Sequence, residues 1–308
     1  MELSAIHHIE PSKLTDIEVD TFITTLGYET RCTTIARQFE AKQCRKIALS
    51  RTDHPKEFSF LENRAYYLKQ GYEIIPVETK VPEIDSIFKN LKKERISIVF
   101  DCTSMSQRWY YEFFRWFSEN QDESVSANLR FVYTMACYEE ITPVRKVKRI
   151  KEFLKTDIKS NQKKKTALIL GLGHEKNISE CIFNIVKPDL LYLFYADPPV
   201  SKQFVEKVFV NNHALISETP IRNLIAYPLR NGETIYQSLI DTILPLRNDY
   251  AITLIPYGPK IFSIVAMLVH FGYPDAIISY PVFKKPPTVD KRPCGEPVVL
   301  DILFEGED

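Results

Sequence analysis

The sequence predicts an α/β protein built from two tandem, doubly wound, Rossmann-like units with parallel sheets. Short β-branched or aromatic runs alternate with helix-length amphipathic segments, the pattern of a parallel sheet covered by helices on both faces. An alternation of five strands and four helices occurs twice, at a period of about 145 residues. We interpret this repeat as an internal duplication; the alternative is two generic α/β units whose matches arise by chance.

The first unit is expected over residues 1–140. Its strand-like runs read TFITTL, KIALS, EIIPV, RISIVF and LRFVYTM, and they are rich in the residue types that favour strands. The last helix holds both tryptophans and is apolar nearly all round, which favours a core helix. A partner-binding aromatic surface is the alternative. The predicted strands are 21–26, 46–50, 73–77, 95–100 and 129–135, and the predicted helices are 32–39, 61–70, 84–91 and 107–118.

A basic linker is expected over residues 141–165, followed by the second unit over residues 166–308. The stretch 145–165 holds ten Lys or Arg residues, which indicates a solvated linker or helix, with a phosphate-binding patch as the alternative. The apolar run 297–304 is expected to add a C-terminal strand to the second unit or to cross to the first. The other predicted strands are 166–170, 190–195, 223–228, 251–255 and 276–280, and the helices are 179–186, 201–209, 234–246 and 261–271.

Composition excludes several classes of function. Forty basic residues balance forty acidic ones, so no overall field attracts nucleic acid or an anionic membrane. No apolar run is long enough to span a membrane, and the first twenty residues do not resemble a signal peptide. The six cysteines lack C-x-x-C spacing and are expected to be reduced thiols of a cytoplasmic protein. We therefore expect no metal site and no cofactor.

Glycine is scarce: the chain has 9 glycines, whereas the average frequency predicts about 22. Gly27, Gly171, Gly173 and Gly258 all fall where a predicted strand passes into a helix. Ligands of open parallel sheets bind beyond the carboxyl ends of the strands, where glycine permits a tight turn and a close approach to the backbone. These glycines therefore indicate ligand contacts, with a tight strand-to-helix turn as the alternative.

Acidic residues recur at matching strand ends of the two halves. Glu29 and Glu175 follow the first strand of each half, where a carboxylate either favours the helix dipole or binds a ligand hydroxyl or amino group. Asp53 and Asp197 follow the second strands, where an acid bonds ribose hydroxyls or starts a turn. We expect these four carboxylates to face a ligand.

The fourth strands end in loops dense in polar groups. In the first half, hydroxyls of Thr103, Ser104 and Ser106 are suited to cradle a phosphate or a ribose, and Arg108 would add positive charge. Helix capping by one of the serines is the alternative. In the second half, the loop with Gly258 takes the same place. The candidate ligand-binding residues are Gly27, Tyr28, Glu29, Arg31, Asp53, Asp101, Thr103, Ser104, Ser106, Arg108, Gly171, Gly173, His174, Glu175, Asp197, Tyr257, Gly258 and Lys260.

The layout of two Rossmann-like units resembles the CARF domains of CRISPR ancillary proteins and the fused pair in SAVED domains. Asp101 and Thr103 match the start of that family's fourth-strand loop, and Gly258 and Lys260 match its end in the other unit. The resemblance implies a sensor of nucleotide-derived ligands in prokaryotic antiviral defence. It also implies a sensor or accessory subunit whose effector is a separate protein.

Three functions are compatible with these patterns. The first is binding of a ligand with phosphate and ribose groups in a cleft between the two units, as a nucleotide sensor. The second is an enzyme acting on a nucleotide or sugar phosphate, a glycosidase or a phosphoribosyltransferase-like enzyme, with Glu29 and Asp101 as catalytic candidates; residues 98–104 resemble a phosphoribosyltransferase loop. The third is a protein-interaction subunit that uses the aromatic helix 107–118.

Overall fold

The computed structural model describes residues 2–52, 56–78, 81–88, 94–119, 126–139, 145–153, 164–198, 202–284 and 288–305. The candidate residue Asp53 lies outside these ranges. The chain divides into two compact units. The first unit is Met1–Cys137 together with Thr288–Asp308, and the second is Tyr138–Pro287. The second unit is therefore inserted between two parts of the first.

The first unit contains a seven-stranded sheet in the order β1-β13-β6-β5-β2-β3-β4. The pairs among β2 to β6 are parallel, whereas β13 is antiparallel to both of its neighbours. The elements are β1 (Glu2–His8), β2 (Thr21–Thr25), α1 (Thr34–Gln38), β3 (Arg45–Arg51), α2 (Phe60–Lys69), β4 (Glu73–Val77), α3 (Ile84–Phe88), β5 (Arg95–Asp101), α4 (Gln107–Glu119), β6 (Ser126–Tyr133) and, from the end of the chain, β13 (Val298–Glu305).

The second unit contains a six-stranded sheet in the order β10-β9-β8-β11-β12-β7. Only the β12–β7 pair in this sheet is antiparallel. The elements are β7 (Val147–Glu152), β8 (Lys165–Gly171), α5 (Ile178–Val186), β9 (Leu190–Ala196), α6 (Lys202–Asn211), α7 (His213–Glu218), β10 (Leu224–Tyr227), α8 (Gly232–Ile243), β11 (Tyr250–Ile255), α9 (Lys260–Gly272) and β12 (Ala276–Phe283).

The five parallel strands of each unit have the same spatial order. Numbered within its own unit, each set runs 3-2-1-4-5, the order of the Rossmann fold. In the first sheet, α1 and α2 pack on one face around Phe22 and Phe39, whereas Phe113 of α4 packs on Phe100 of the other face. The predicted α/β class with two doubly wound units is confirmed.

The C-terminal strand follows the second of its two expected placements, since β13 crosses to the first sheet and lies there between β1 and β6. Residues from 288 onward therefore belong to the first unit and not to the expected second unit of residues 166–308. The β13 residues Val298, Leu300 and Ile302 are buried there. The reason is that β13 fills the open edge beside β6 and in turn provides the partner for β1, an N-terminal strand whose mixed sequence gave no strand signal.

The basic linker also differs from expectation, because β7 lies within residues 141–165. Val147 and Ile150 of β7 pack against the apolar core of the second unit, and the Phe153 ring lies 4.6 Å from that of Tyr280. Lysines and arginines between these apolar positions suit an edge strand, which charged side chains protect against further pairing. The remaining predicted linker residues, 141–144 and 154–163, lie outside the described ranges.

The aromatic helix is a core element, as its composition favours. Within α4, the buried aromatic residues are Trp109, Tyr110, Tyr111, Phe113, Phe114 and Phe117. Trp116 is partly exposed, and its indole N–H donates to Asp85 at 2.7 Å. Over the described part of the chain, no helix has both the length and the apolar character needed to cross a bilayer.

Candidate functional site

The shared strand order creates one switch point in each unit. The chain leaves the first strand toward one side of the sheet and the fourth strand toward the other, and ligands of open α/β sheets bind outside the carboxyl ends of the strands at such a point. We call the carboxyl ends of β2 and β5, with the loops after them, the first switch point. The carboxyl ends of β8 and β11, with their loops, form the second switch point.

The loops of the first switch point approach each other closely. A Cβ atom at Gly27 would lie 3.1 Å from the Cβ atom of Ser104, so glycine permits this approach. The Asp101 carboxylate accepts hydrogen bonds from the hydroxyl of Thr24 at 3.2 Å and from the N–H of Thr103 at 3.0 Å. Asp101 and Thr103 are both 1% exposed. The structure therefore brings together four residues, Gly27, Asp101, Thr103 and Ser104, that the sequence places in two distant loops.

Three hydroxyl groups around these loops lack a hydrogen bond of ordinary geometry within the described structure. They are Oγ1 of Thr25, Oγ of Ser104 and Oγ1 of Thr134, and all three atoms are buried. The Cys32 thiol, a weak hydrogen-bonding group, lies beside Ser104. Buried polar groups normally have partners, and an unpaired one costs about 1–3 kcal/mol. Unpaired hydroxyls at one switch point therefore indicate that water or a ligand completes their hydrogen bonds.

The Cys32 side chain is a neutral structural group of this site. Its thiol donates to the Thr25 carbonyl at 3.0 Å and accepts from the Gly27 N–H at 3.2 Å. Burial raises the pKa of Cys32 to about 11. The Tyr67 hydroxyl donates to the Cys32 carbonyl at 3.0 Å, and burial raises its pKa as well. Neither group is ionised near neutral pH, so neither supplies a nucleophile.

Buried Arg31 and partly buried Glu29 form an ion pair beside the first switch point. Arg31 Nε donates to Glu29 Oε2 at 2.8 Å, and Nη1 donates to the Thr134 carbonyl at 2.7 Å. The two side chains are only 3% and 13% exposed. Burial lowers the pKa of Arg31, but Tyr133 and Glu29 outweigh it and hold this pKa above its ordinary value. Both predicted ligand-binding charges are thus already paired with each other.

A segment from the end of the chain borders the first switch point. The Asp290 carboxylate accepts hydrogen bonds from the N–H and the hydroxyl of Thr30 at 2.7 and 2.6 Å. The Arg31 N–H donates to the Lys291 carbonyl at 3.1 Å, and Lys291 Nζ lies 4.0 Å from Glu29. We call residues 288–294 the tail segment. Its Lys291 thus brings a positive charge near Glu29 at the edge of the site.

Three other candidates in the first unit have different surroundings. Tyr28 is partly buried, which raises its pKa, and it hydrogen-bonds to the backbone of Val289 in the tail segment. Ser106 precedes α4, and its Oγ and carbonyl oxygens both accept from the Trp109 N–H, as expected of a helix cap. Arg108 Nε lies 3.8 Å from Glu112 within the same helix.

Close packing accounts for the glycines of the second switch point. A Cβ atom would lie 2.6 Å from the Phe262 ring at Gly171 and 2.6 Å from the Tyr257 ring at Gly173. At Gly258 it would lie 3.0 Å from the Leu172 carbonyl oxygen. The Tyr257 ring therefore occupies the space that the missing side chain of Gly173 leaves.

Glu175 is held by an arginine, as Glu29 is in the first unit. Arg145 donates to both carboxylate oxygens of Glu175 and to the Tyr257 hydroxyl at 3.3 Å. The Arg145 guanidinium also lies 4.3 Å from the centre of the Phe283 ring. Burial, followed by the Glu175 charge, raises the pKa of Tyr257. Arg145, Glu175 and Tyr257 thus form a hydrogen-bonded cluster without net charge, and this cluster joins the loop after β11 to the segment before β7.

The remaining candidates of the second unit lie apart from that cluster or at its edge. The His174 ring packs edge-on against Phe204 at 5.0 Å and against Tyr138 at 5.8 Å. Asp197 follows β9 and is exposed, and its N–H donates to the carbonyl of Tyr227, the last residue of β10. Lys260 is the first residue of α9 and is partly buried.

Both switch points contain a buried asparagine that sequence reasoning missed. Asn63 of α2 donates to the carbonyls of Gly27 and Glu29, each at 3.0 Å. Asn212, between α6 and α7, donates to the Gly173 carbonyl at 2.9 Å. Each asparagine thus fixes the loop after the first strand from a helix that follows the second strand. A search for matching amides at these places in the two halves would have found this pair.

Compared with protein-family models and with curated proteins, the chain matches none. Within the described ranges, no group of three or more His, Cys, Asp and Glu side chains is placed to hold a metal ion. The groups that the first switch point offers a ligand are hydroxyls and one ion pair.

Proposed function

We propose that this chain binds a nucleotide-derived ligand, with phosphate and ribose groups, at the first switch point. The observation that carries the proposal is a set of three buried hydroxyls, on Thr25, Ser104 and Thr134, that lack a well-formed hydrogen bond within the described residues. Thr25 and Ser104 lie at the place in a 3-2-1-4-5 sheet where open α/β proteins bind ligands, and Thr134 borders it, since its N–H donates to the Thr103 hydroxyl at 3.0 Å. Hydroxyl groups both donate and accept, so they suit phosphate oxygens and ribose hydroxyls equally well.

We further propose that the chain acts as a sensor or accessory subunit in antiphage defence and that a separate protein is its effector. Binding without turnover fits the chemistry of the candidate catalytic residues. Glu29 already pairs with Arg31 at 2.8 Å, and Asp101 already accepts from Thr24 and Thr103. A general acid or base must reach a proton of the substrate, and these carboxylates are held by the protein itself.

An internal duplication is part of this proposal. The shared strand order, the glutamates paired with arginine and the two asparagines support a common origin of the units. At the second switch point, the Tyr257 ring lies where a side chain on Gly173 would be, and it leaves less room for a ligand beside that strand end. We therefore assign the ligand to the first switch point and a supporting role to the second.

The test is ligand-dependent stabilisation of the first unit. Both tryptophans of the chain, Trp109 and Trp116, lie on α4, so tryptophan fluorescence reports unfolding of the first unit alone. We expect one class among mononucleotides, cyclic dinucleotides and cyclic oligoadenylates to raise the unfolding temperature of that unit. Failure of every nucleotide class to do so, with no nucleotide bound in native mass spectrometry, would refute the proposal.

Two variants locate the ligand. Ser104→Ala removes a hydroxyl that lies beside the weakly hydrogen-bonding Cys32 thiol and has no well-formed bond among the described residues, so it should leave folding intact and weaken binding by about 2- to 10-fold, the value of one hydrogen bond. Gly27→Ala adds a methyl group between the two loops and should weaken binding further. The control is Ser118→Ala, which should bind the nucleotide normally. It also removes a serine hydroxyl, one that donates to the Arg115 carbonyl within α4. If the chain instead turns over the bound nucleotide, and Asp101→Asn or Glu29→Gln abolishes that turnover, the result would favour an enzyme.

A further inference from the structure

Two cysteines meet where the chain leaves the first unit and where it returns. Cys137 is the last residue of the first segment of that unit, and Cys294 belongs to the tail segment. Ala136 and Pro293 form an antiparallel bridge. The Cys137 N–H donates to the Arg292 carbonyl at 3.0 Å, and the Cys294 N–H donates to the Met135 carbonyl at 2.9 Å. The backbones are thus held together on both sides of the bridge.

The bridge also places the two thiols on the same face. Side chains alternate between the faces of an extended pair, so Cys137 and Cys294, which are diagonal neighbours on either side of the bridged pair, project from the same face. The Cys137 thiol donates to the Pro293 carbonyl at 3.3 Å, and the Cys137 thiol beside it raises the pKa of Cys294. Both cysteines are free and partly exposed, whereas Cys32 and Cys102 are buried. A small reagent can therefore reach this pair.

We propose that Cys137 and Cys294 are a reversible disulfide site that takes a small-molecule disulfide, such as oxidised glutathione, as its oxidant. The thiolate of one cysteine attacks the small disulfide, forms a mixed disulfide and releases one thiolate. The second cysteine then attacks the mixed disulfide, forms the Cys137–Cys294 bond and releases the second thiolate. The protein loses two electrons and two protons, and one small disulfide becomes two thiols.

The bond would fix the tail segment beside the first switch point. In the reduced chain that segment is held there by hydrogen bonds of Asp290, Lys291, Arg292 and Cys294. A covalent link at Cys294 limits how far residues 288–294 can move from Thr30 and Arg31. Oxidation would therefore change access to the edge of the site without changing the residues that form it.

The experiment is a titration of the full chain with defined ratios of oxidised to reduced glutathione, followed by alkylation and non-reducing peptide mapping. We expect a linked peptide pair containing Cys137 and Cys294, short of two hydrogens, that reduction reverses. Cys294→Ala and, separately, Cys137→Ala should abolish it. Cys44→Ala and Cys181→Ala, at the other partly exposed cysteines, should leave it unchanged.

Amide hydrogen exchange of residues 288–294 measures the consequence, and we expect at least threefold slower exchange in the oxidised chain. Three outcomes would overturn the proposal: both cysteines alkylated separately at oxidising ratios, glutathione adducts that never resolve to the linked pair, or a linked pair with unchanged exchange. These readouts need no ligand, so they are independent of the proposed nucleotide binding.

Discussion

Burial decides how much the Arg31–Glu29 pair contributes to the free energy of unfolding. The first unit also contains a matched exposed pair, Arg45–Glu73, so the effect of burial can be measured by comparison. Arg45 donates to Glu73 at 2.8 Å and to the Ile87 carbonyl at 2.6 Å. Arg31 makes the same two kinds of bond at 2.8 and 2.7 Å. The exposed fractions are 3% and 13% for Arg31 and Glu29 but 37% and 52% for Arg45 and Glu73.

Replacing each arginine by methionine removes the charge and keeps much of the volume. Arg31→Met leaves the partly buried Glu29 charge with Lys291, at 4.0 Å, as its remaining ion-pair partner among the described residues. Loss of one partner of a buried pair costs about 3–5 kcal/mol, and Lys291 places our value near the lower end, about 3 kcal/mol. Arg45→Met breaks an exposed pair and should cost about 0–1 kcal/mol.

The assay is urea unfolding followed by tryptophan fluorescence, which reports only the first unit because α4 carries both tryptophans. We expect Arg31→Met to shift the unfolding equilibrium about a hundredfold and Arg45→Met less than about tenfold. Adding Glu29→Gln to Arg31→Met should restore part of the loss, because no unpaired charge is then buried. Equal losses for the two arginine variants would refute the argument from burial.

Two further predictions concern the second unit. Its unfolding is measured by far-UV circular dichroism, as the transition that tryptophan fluorescence does not report. Gly173→Ala should cost about 1–3 kcal/mol, because its Cβ atom would lie 2.6 Å from the Tyr257 ring. Gly272→Ala, whose nearest neighbour would be at 3.6 Å, is the control and should be neutral or stabilising; similar losses in both would contradict the close contact. Burial lowers the pKa of His270 below 6.5, and its Nδ1 lies 2.9 Å from the Ala276 carbonyl oxygen. The contribution of neutral His270 to stability is present above about pH 6.5 and is lost as the pH falls through its lower folded-state pKa. Acidification from pH 7 to 5 should therefore destabilise the wild-type protein more than His270→Leu. Equal losses in the two proteins would contradict this.

Local sequence patterns predicted most of the fold because each parallel strand is a short apolar run that helices cover on both sides. β4, for example, has the predicted bounds. The patterns failed where pairing partners are distant in sequence. The strand character of β7 is obscured by its basic residues, and β1 is a strand because β13 lies beside it.

The candidate site was predicted less completely, for a related reason. Strand-end reasoning found Gly27, Asp101 and Ser104, because the carboxyl ends of neighbouring parallel strands meet. It did not find that Arg31 pairs with the nearby Glu29 or that Arg145, 30 residues before Glu175 in the sequence, pairs with that glutamate. Ion pairs depend on side-chain direction and burial, which the order of residues alone does not specify.

The position of β13 sets an order in which the molecule can be completed during synthesis. Every residue of the second unit is synthesised before β13 and emerges from the ribosome ahead of it, so the contacts within that unit are available first. The first unit must wait: β6 keeps an open edge and β1 lacks its neighbour until residues 298–305 arrive. A nascent chain that stalls before this strand would therefore carry an exposed sheet edge, the kind of surface that chaperones bind and that leads to aggregation.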